Sequence, residues 1–261
     1  MAGNQKNIKA IISDMDGVIW KGNQAIVDLQ KVLSIIRERD YRLVFVTNNA
    51  TLSIEQNLEK LRGFGIYLEH WQVINSGVAV AHLLLQRFPN GGPVYTIGEN
   101  GLKSILAENG FTQSEEGVIA VVVGLDRQLT YEKLKIATLL IRSGIPFYGT
   151  NPDKTYPTPQ GLIPGAGTVI TAVEVATDVK PIFAGKPGTF MYELALQRLR
   201  VLPEEAIVIG DRLDTDIAGG QILGCVTGLV LSGVATENEA RQWQPQPDYV
   251  AQDFEELIEM L

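Results

Sequence analysis

The chain has 261 residues, enough for one large α/β domain or for a core domain that carries a smaller one. Its 22 lysines and arginines against 30 aspartates and glutamates give a net charge of −8, so we expect no nucleic-acid partner. No apolar window is long enough to span a bilayer, no signal peptide precedes the first predicted strand, and the single Cys225 fits a buried site in a reducing compartment, so we expect a cytoplasmic protein.

Short apolar runs that predict strands alternate with segments of helical period along nearly the whole chain. The predicted strands, in chain order, are KAIIS, RLVFV, PVYTIG, VIAVVVGL, PFYGT, IFAG, AIVIG and VTGLVL. Between them, one helix is predicted behind Ser53 and before Gly63, and another behind Thr130 and before Gly144. This alternation is typical of βαβ units around a mostly parallel sheet, so the sequence predicts the α/β class.

The middle of the chain predicts a second domain inserted in the first. Residues 80–178 have their own strands and helices, whereas 1–79 and 179–261 would form the two parts of the main domain. Near the end of the insert, the loop NPDKTYPTPQGLIPGAG holds four of the 12 prolines, which predicts an irregular stretch. Irregular segments of this length in a compact domain are usually functional.

Two aspartates close the first predicted strand. Asp14 and Asp16 lie at its C-terminal end, and Gly17 lets the chain turn back sharply. Two like charges this close persist most easily when a cation lies between them or one carboxyl holds a proton. One carboxylate could attack phosphorus while the second protonates the leaving oxygen. The alternative is an Asp-rich turn without catalytic function.

Two further segments carry groups suited to phosphate. RLVFVTNNA delivers Thr47, Asn48 and Asn49, whose hydroxyl, amide and backbone donors match phosphate oxygens. IFAGKPGTF supplies Lys186 and puts Pro187 at a predicted first helical position, so a cation and a helix N-terminus would converge there.

A third segment, AIVIGDRLDTDIAGG, adds acids after another predicted strand. Asp211 ends that strand, and together with the first two aspartates it predicts an oxygen-lined Mg²⁺ site. Asp214 is interpreted as an acid that stabilises a helix N-terminus, and Asp216 is open to either interpretation.

The order of these motifs resembles the haloacid dehalogenase superfamily, with DxDG, a strand-end Thr, a Lys and GDxxxxD. More narrowly, the chain is similar to the branch of nitrophenyl phosphatases and NagD-like proteins, over nearly its whole length. The resemblance implies a Rossmann-like parallel-sheet core with an inserted α/β cap of the C2 type. The position of the insert agrees with this branch. Only 33 positions separate Asp14 from Thr47, too few for a cap domain, whereas 139 separate Thr47 from Lys186, where this branch carries its cap.

The resemblance also implies a role for each matching residue. It makes Asp14 the nucleophile and a metal ligand, and Asp16 the acid and base whose backbone carbonyl meets the metal. It implies that Asp211 binds the metal and that Asp216 supports the metal's waters or the lysine. The remaining residues implied to bind phosphate or substrate are Thr47, Asn48, Asn49, Lys186 and, in the cap loop, Tyr156.

We therefore expect an Mg²⁺-dependent phosphatase that forms an aspartyl phosphate and hydrolyses a small phosphorylated metabolite. Sugar phosphates, nucleoside monophosphates, phosphoglycolate and 4-nitrophenyl phosphate all fit. Two alternatives stay open: a phosphotransferase that uses an alcohol acceptor, and a metabolite-binding protein without catalysis. A membrane partner is not expected, and a homo-oligomer is left open. Trp20 is expected to pack against the site wall, and His70 and His82 are expected to lie at the surface or in the core.

Overall fold

The computed structural model describes residues 7–158 and 160–261, and packing divides the chain into two compact units. The first unit contains Met1–Thr47, Leu58–Ile74 and Pro187–Leu261, and the second contains Asn48–Asn57 and Asn75–Lys186. The strands are β1 (Ala10–Ser13), β2 (Trp20–Lys21), β3 (Gln24–Ala25), β4 (Arg42–Thr47), β5 (Val73–Asn75), β6 (Gly92–Ile97), β7 (Phe111–Gln113), β8 (Ala120–Val123), β9 (Phe147–Gly149), β10 (Thr155–Thr158), β11 (Gly161–Pro164), β12 (Ile182–Phe183), β13 (Ala206–Gly210), β14 (Val226–Val230) and β15 (Tyr249–Ala251). The α-helices are α1 (Leu29–Glu38), α2 (Ile54–Gly63), α3 (Ser76–Arg87), α4 (Asn100–Glu108), α5 (Tyr131–Arg142), α6 (Ala166–Thr177), α7 (Phe190–Leu199), α8 (Ala218–Leu223), α9 (Glu237–Gln242) and α10 (Phe254–Met260).

The first unit is built on a sheet with the strand order β15-β14-β13-β1-β4-β5. Strands β1, β4, β13, β14 and β15 run parallel, and β1 and β13 are buried along their whole length, as expected for a sheet covered on both faces. Ser13, the last residue of β1, pairs with Ile209 on one side and Phe45 on the other. The C-terminal ends of these three strands therefore meet at one edge of the sheet.

Helix α1 of the first unit begins at a side-chain cap. Asp28 precedes α1, and its carboxylate accepts hydrogen bonds from the backbone N–H of Gln30 and Lys31, both at 3.1 Å. The helix then buries its apolar stripe, formed by Leu29, Val32, Leu33 and Ile36. With this stripe the helix packs against β4 of the sheet.

The second unit has its own parallel sheet, with the order β12-β9-β8-β6-β7. Strand β8 is Ala-Val-Val-Val and is buried throughout, and its side chains form a core with residues of α5 and α6. Helix α5 is capped by Thr130, whose hydroxyl accepts from Lys133 N–H at 3.3 Å. Two parallel sheets flanked by helices confirm the predicted α/β class.

The predicted helix starts are confirmed at Ser53 and at Thr130. Ser53 Oγ accepts from Gln56 N–H at 3.2 Å, and Gln56 Oε1 accepts from Ser53 N–H at 2.9 Å, which forms a capping box at the start of α2. All eight predicted strand segments contain a strand. Seven further strands were not predicted from the sequence: β2, β3, β5, β7, β10, β11 and β15.

Two local predictions are wrong. The loop predicted as irregular contains an antiparallel pair, β10 with β11, in which Tyr156 lies opposite Ile163. Pro187 is not at a first helical position, since α7 begins at Phe190 and the preceding residues form a turn. A Pro-Gly pair favours such a turn, because proline fixes φ and glycine adopts turn conformations easily. The predicted domain limits of 80 and 178 stay a prediction beside the packing units.

Candidate active site

Three carboxylates of the first unit lie together at the edge where β1 and β13 end. Asp14 follows β1, Asp211 follows β13, and Asp216 lies in the short π-helix Leu213–Ile217. One carboxylate oxygen of each lies within 4.8 Å of the others, and all three side chains are buried. Buried like charges at such distances repel each other unless a cation compensates them. The group therefore has the chemistry of an oxygen-donor metal site.

Backbone from two other parts of the first unit encloses the Asp211 carboxylate. A Cβ on Gly17, which has φ +83°, would lie 2.7 Å from Asp211 Cγ, and a Cβ on Gly233 would overlap Oδ2. The N–H of Val234 donates to Oδ2 at 2.9 Å, and the N–H of Ala235 donates to the Asp211 carbonyl at 2.9 Å. Asp211 is therefore held in one place by close backbone contact and by hydrogen bonds.

Asp216 is fixed within its own turn. Its Oδ2 accepts from Arg212 N–H at 3.2 Å, and the Tyr192 hydroxyl lies 3.5 Å from Oδ1. A Cβ on Gly210 would overlap the Asp216 carboxyl, so the strand end leaves just enough room for it. The family resemblance implied a supporting role for Asp216, and its carboxylate lies in the same group as those of Asp14 and Asp211.

Asp16 is half-buried, and its carboxylate faces other neighbours. The Trp20 indole N–H donates to Oδ1 at 2.9 Å, and the Thr47 hydroxyl lies 3.5 Å from Oδ2. The turn that contains Asp16 is closed by Met15, whose carbonyl accepts from Ile19 N–H at 3.0 Å. Asp14 and Asp16, two residues apart, therefore have different partners. Of the predicted phosphate-binding residues, Thr47 is the one placed beside Asp16 in this unit.

Asn48 and Lys186 come together in the second unit. Lys186 N–H donates to Asn48 Oδ1 at 2.8 Å, and Asn48 Nδ2 donates to the Lys186 carbonyl at 3.1 Å and to Asp153 Oδ2 at 3.0 Å. The Asn48 carbonyl accepts from Asn151 Nδ2 at 2.7 Å. A Cβ on Gly185 would lie 2.6 Å from Asn48 Oδ1, so the glycine permits this approach. The Asn48 amide thus holds the backbone of Lys186, and both side chains are buried.

Asn49 and Tyr156 form a separate pair in the second unit. Asn49 Nδ2 lies 3.4 Å from the Tyr156 hydroxyl, while Asn49 Oδ1 accepts from the Thr51 N–H at 3.0 Å and from its hydroxyl at 2.6 Å. Tyr156, which belongs to β10, is half-buried. The predicted cap-loop residue is therefore linked to the end of the predicted phosphate-binding run.

Sequence reasoning missed several residues around these groups. Trp20 was expected to pack against the site wall, and its hydrogen bond to Asp16 was not predicted. Lys60 places its Nζ 3.8 Å from the centroid of the Trp20 ring, and Phe64 stacks on that ring at 5.7 Å. About 40 positions separate these residues from Trp20, and no spacing rule links them. Asp153 belongs to the loop that was predicted as irregular, and its bond to Asn48 had no sequence signal.

The other residues discussed from the sequence, His70, His82, Asp214 and Cys225, do not belong to the group of Asp14, Asp211 and Asp216. His70 is exposed and His82 half-buried, in line with the expectation for both, and Asp214 is exposed in the π-helix. Cys225 is buried, as predicted, and burial raises the pKa of its thiol to about 12, with a smaller contribution from Glu204. A thiol in that state is not a nucleophile near neutral pH.

Every helix within residues 7–158 and 160–261 is too short or too polar to cross a membrane.

A family model described as haloacid dehalogenase-like hydrolase matches residues 11–112, and one described as HAD-hydrolase-like matches residues 183–257. The acid sugar phosphatase of Staphylococcus saprophyticus is 37% identical over 257 residues, which cover 98% of this chain and 99% of that protein.

Two solved structures are similar over nearly the whole chain. The p-nitrophenyl phosphatase of Archaeoglobus fulgidus has a TM-score of 0.91 at 32% identity, covering 98% of this chain and 100% of its own. The glycerol phosphate phosphatase of Mycobacterium tuberculosis, solved in complex with magnesium, has a TM-score of 0.89 at 33% identity, covering 96% of this chain and 76% of its own.

Proposed function

This chain belongs to the haloacid dehalogenase-like hydrolase family and is a phosphoric monoester hydrolase, and we propose that it uses Mg²⁺ and an aspartyl phosphate on Asp14. The observation that carries this mechanism is the buried group of Asp14, Asp211 and Asp216 within 4.8 Å. Three carboxylates would be repelled by a phosphate dianion if no cation were bound among them. A purely structural turn would not need them to converge.

The donor set fits Mg²⁺. Carboxylate oxygens are the ligands that this hard cation prefers, and the Gly17 and Gly233 backbones hold the Asp211 carboxylate in position. We propose that Asp14 and Asp211 bind the ion with the Asp16 carbonyl, and that Asp216 binds it or its waters. When bound, the ion would neutralise charge between the nucleophile and the phosphate. The magnesium complex of the similar mycobacterial phosphatase supports this choice of metal.

The reaction then has two steps. An Asp14 carboxylate oxygen attacks phosphorus, the bond to the ester oxygen breaks, and Asp16 gives its proton to that leaving oxygen. Asp16 next takes a proton from water, whose oxygen attacks the aspartyl phosphate. Inorganic phosphate leaves and Asp14 is regenerated. The separate hydrogen-bond partners of the two aspartates support this division, because Asp16 is bonded to Trp20 rather than grouped with the other carboxylates.

The phosphate group needs donors and a cation. We propose that Thr47, Asn49 and the backbone of 48–49 donate to its oxygens and that the Lys186 ammonium balances its charge. The hydrogen bonds of the Asn48 amide support a positional role for that side chain, since its N–H groups are bonded to Asp153 and Lys186. Tyr156, beside Asn49, is proposed to contact the leaving group.

The substrate is proposed to be a small phosphorylated metabolite. The names of similar proteins point to sugar phosphates, glycerol phosphate and 4-nitrophenyl phosphate, and nucleoside monophosphates and phosphoglycolate belong in the same panel. Residues 80–178 are proposed to act as the inserted cap that selects among them. With one buried cysteine, the protein is proposed to work in the cytoplasm.

A direct test compares the wild type, Asp14→Asn and Asp16→Asn on 4-nitrophenyl phosphate and this panel, with and without chelator. We expect loss of turnover in chelator, restoration by Mg²⁺, and no activity in Asp14→Asn. Asp16→Asn should accumulate phosphorylated protein, which intact-protein mass spectrometry detects. Full activity in Asp14→Asn, or turnover that is unchanged by chelator, would refute the mechanism. Added alcohol acceptors that divert the phosphoryl group would show a phosphotransferase, and binding without phosphate release would show a non-catalytic protein.

A further inference from the structure

The turn after β1 ends in a buried indole that is bonded back to Asp16. Trp20 is 2% exposed, and its Nε1–H donates to Asp16 Oδ1 at 2.9 Å. The backbone of the same turn is closed by Gly17 N–H, which donates to the Trp20 carbonyl at 2.8 Å. An indole N–H is a donor only, so Oδ1 must act as the acceptor in this bond. Oδ2 has the longer of the two contacts, with the Thr47 hydroxyl at 3.5 Å.

The indole is itself held from its faces. Phe64 stacks on the ring with centroids 5.7 Å apart and an angle of 29° between the planes. The Lys60 ammonium lies 3.8 Å from the ring centroid, within the distance of a cation–π interaction. Burial lowers the pKa of Lys60 and the Asp16 charge raises it in part. Two contacts from α2 and the residue after it therefore fix the ring plane, and with it the direction of the N–H.

We propose that Trp20 is a positioning residue: its N–H holds the Asp16 carboxylate in the rotamer that presents Oδ2 to the leaving oxygen, and Lys60 and Phe64 fix the ring. The inference rests on the proposed function, because it assumes that Asp16 is the general acid. The Thr47 hydroxyl, 3.5 Å from Oδ2, is the second contact of this carboxylate in the same unit. Without the indole bond, a terminal carboxyl torsion is broad, and the acid would sample unproductive orientations.

The test varies the basicity of the leaving group. Trp20→Phe keeps an aromatic ring and removes the N–H. Its kcat/KM is measured on phenyl phosphate and 4-nitrophenyl phosphate, which differ little in shape. The phenolate leaving group is the more basic and needs the proton from Asp16 more. We expect kcat/KM to fall about tenfold for phenyl phosphate and less than about threefold for 4-nitrophenyl phosphate.

Trp243→Phe is the matched control. In the wild type, the Trp243 indole N–H donates to Gln221 at 3.0 Å, so this variant also loses an indole hydrogen bond of the first unit. We expect it to change kcat/KM by the same factor for both substrates. Lys60→Met keeps the aliphatic stem and removes the charge. It should also lower kcat/KM more for phenyl phosphate than for 4-nitrophenyl phosphate, by less than Trp20→Phe does. If Trp20→Phe does not fold, Lys60→Met carries the test.

The outcomes separate this inference from the proposed function. An equal fall on both substrates in Trp20→Phe, or in Lys60→Met if that variant carries the test, would overturn the positioning role while Asp14→Asn stays inactive. A rise in KM with unchanged kcat would overturn it as well. Turnover by Asp14→Asn would instead refute the aspartyl-phosphate mechanism itself.

Discussion

Replacing Gly17 with alanine tests whether the backbone of the first turn shapes the proposed metal site. Gly17 has φ +83°, and an added Cβ would lie 2.7 Å from Asp211 Cγ. Ordinary contact begins near 3.4 Å, so Asp211 Cγ must move by at least about 0.7 Å, and Oδ2, which the Cβ would overlap, must move further. Such a shift would stretch its hydrogen bond from Val234, 2.9 Å at present, and separate it from Asp14 and Asp216.

Gly22→Ala is a matched control for backbone strain. Gly22 also has a positive φ, +58°, but a Cβ there would meet nothing within 4 Å. Both variants should lose about 1 kcal/mol for placing an alanine in the left-handed region. Gly17→Ala should lose about 2 kcal/mol more, because a buried hydrogen bond to a charged acceptor is weakened. The difference between the two variants therefore isolates the contact with Asp211.

Two assays check the prediction. In urea unfolding with chelator, the free energy of unfolding of Gly17→Ala should be about 2 kcal/mol lower than that of Gly22→Ala. In a titration of activity with Mg²⁺, the half-activating concentration should be about tenfold or more higher for Gly17→Ala than for the wild type. It should be unchanged for Gly22→Ala. Equal unfolding free energies and equal Mg²⁺ titrations for the two variants would refute the reasoning that Gly17 makes room for the Asp211 carboxylate.

Other positions give independent predictions. Asn48→Ala removes three hydrogen bonds around Lys186 and should lower the free energy of unfolding in urea by about 3 kcal/mol, against about 1 kcal/mol for Asn109→Ala, whose amide donates to one carbonyl. Asp14→Asn should raise the free energy of unfolding in chelator on the order of 1 kcal/mol, because it relieves repulsion within the carboxylate group. Cys225 should resist a thiol reagent at pH 8 until the protein unfolds. Since its pKa is raised from 9.0 to about 12, the unfolded thiol loses its proton first, so the free energy of unfolding should fall as the pH rises between these values, and less in Cys225→Ala.

The sequence predicted those parts of the fold that have a strong local signal. Buried parallel strands appear as continuous apolar runs, so each predicted run contains a strand. The short antiparallel pairs were missed, because β2 and β3 have two residues each and their pairing depends on the turn between them. The pair β10 and β11 was missed since its prolines argue against a strand, although an isolated two-stranded pair tolerates them.

The site was predictable as far as chain direction decides it. Parallel strands end at one edge, so Asp14 and Asp211 could be expected to meet there, and their carboxylates do lie together. The orientation of each side chain was not predictable. Thr47, Asn48 and Asn49 were all interpreted as phosphate donors, yet the first faces Asp16, the second the Lys186 backbone and the third Thr51 and Tyr156.

The two aspartates of the first turn show why side-chain partners matter more than spacing. A spacing of two residues says only that both follow β1. The structure gives Asp14 a place among buried carboxylates, where a cation is needed, and gives Asp16 a neutral indole donor. A metal ligand must stay unprotonated, whereas a general acid must exchange a proton with substrate. Because the two proposed tasks need different surroundings, the indole of Trp20 separates the two aspartates as much as the turn does.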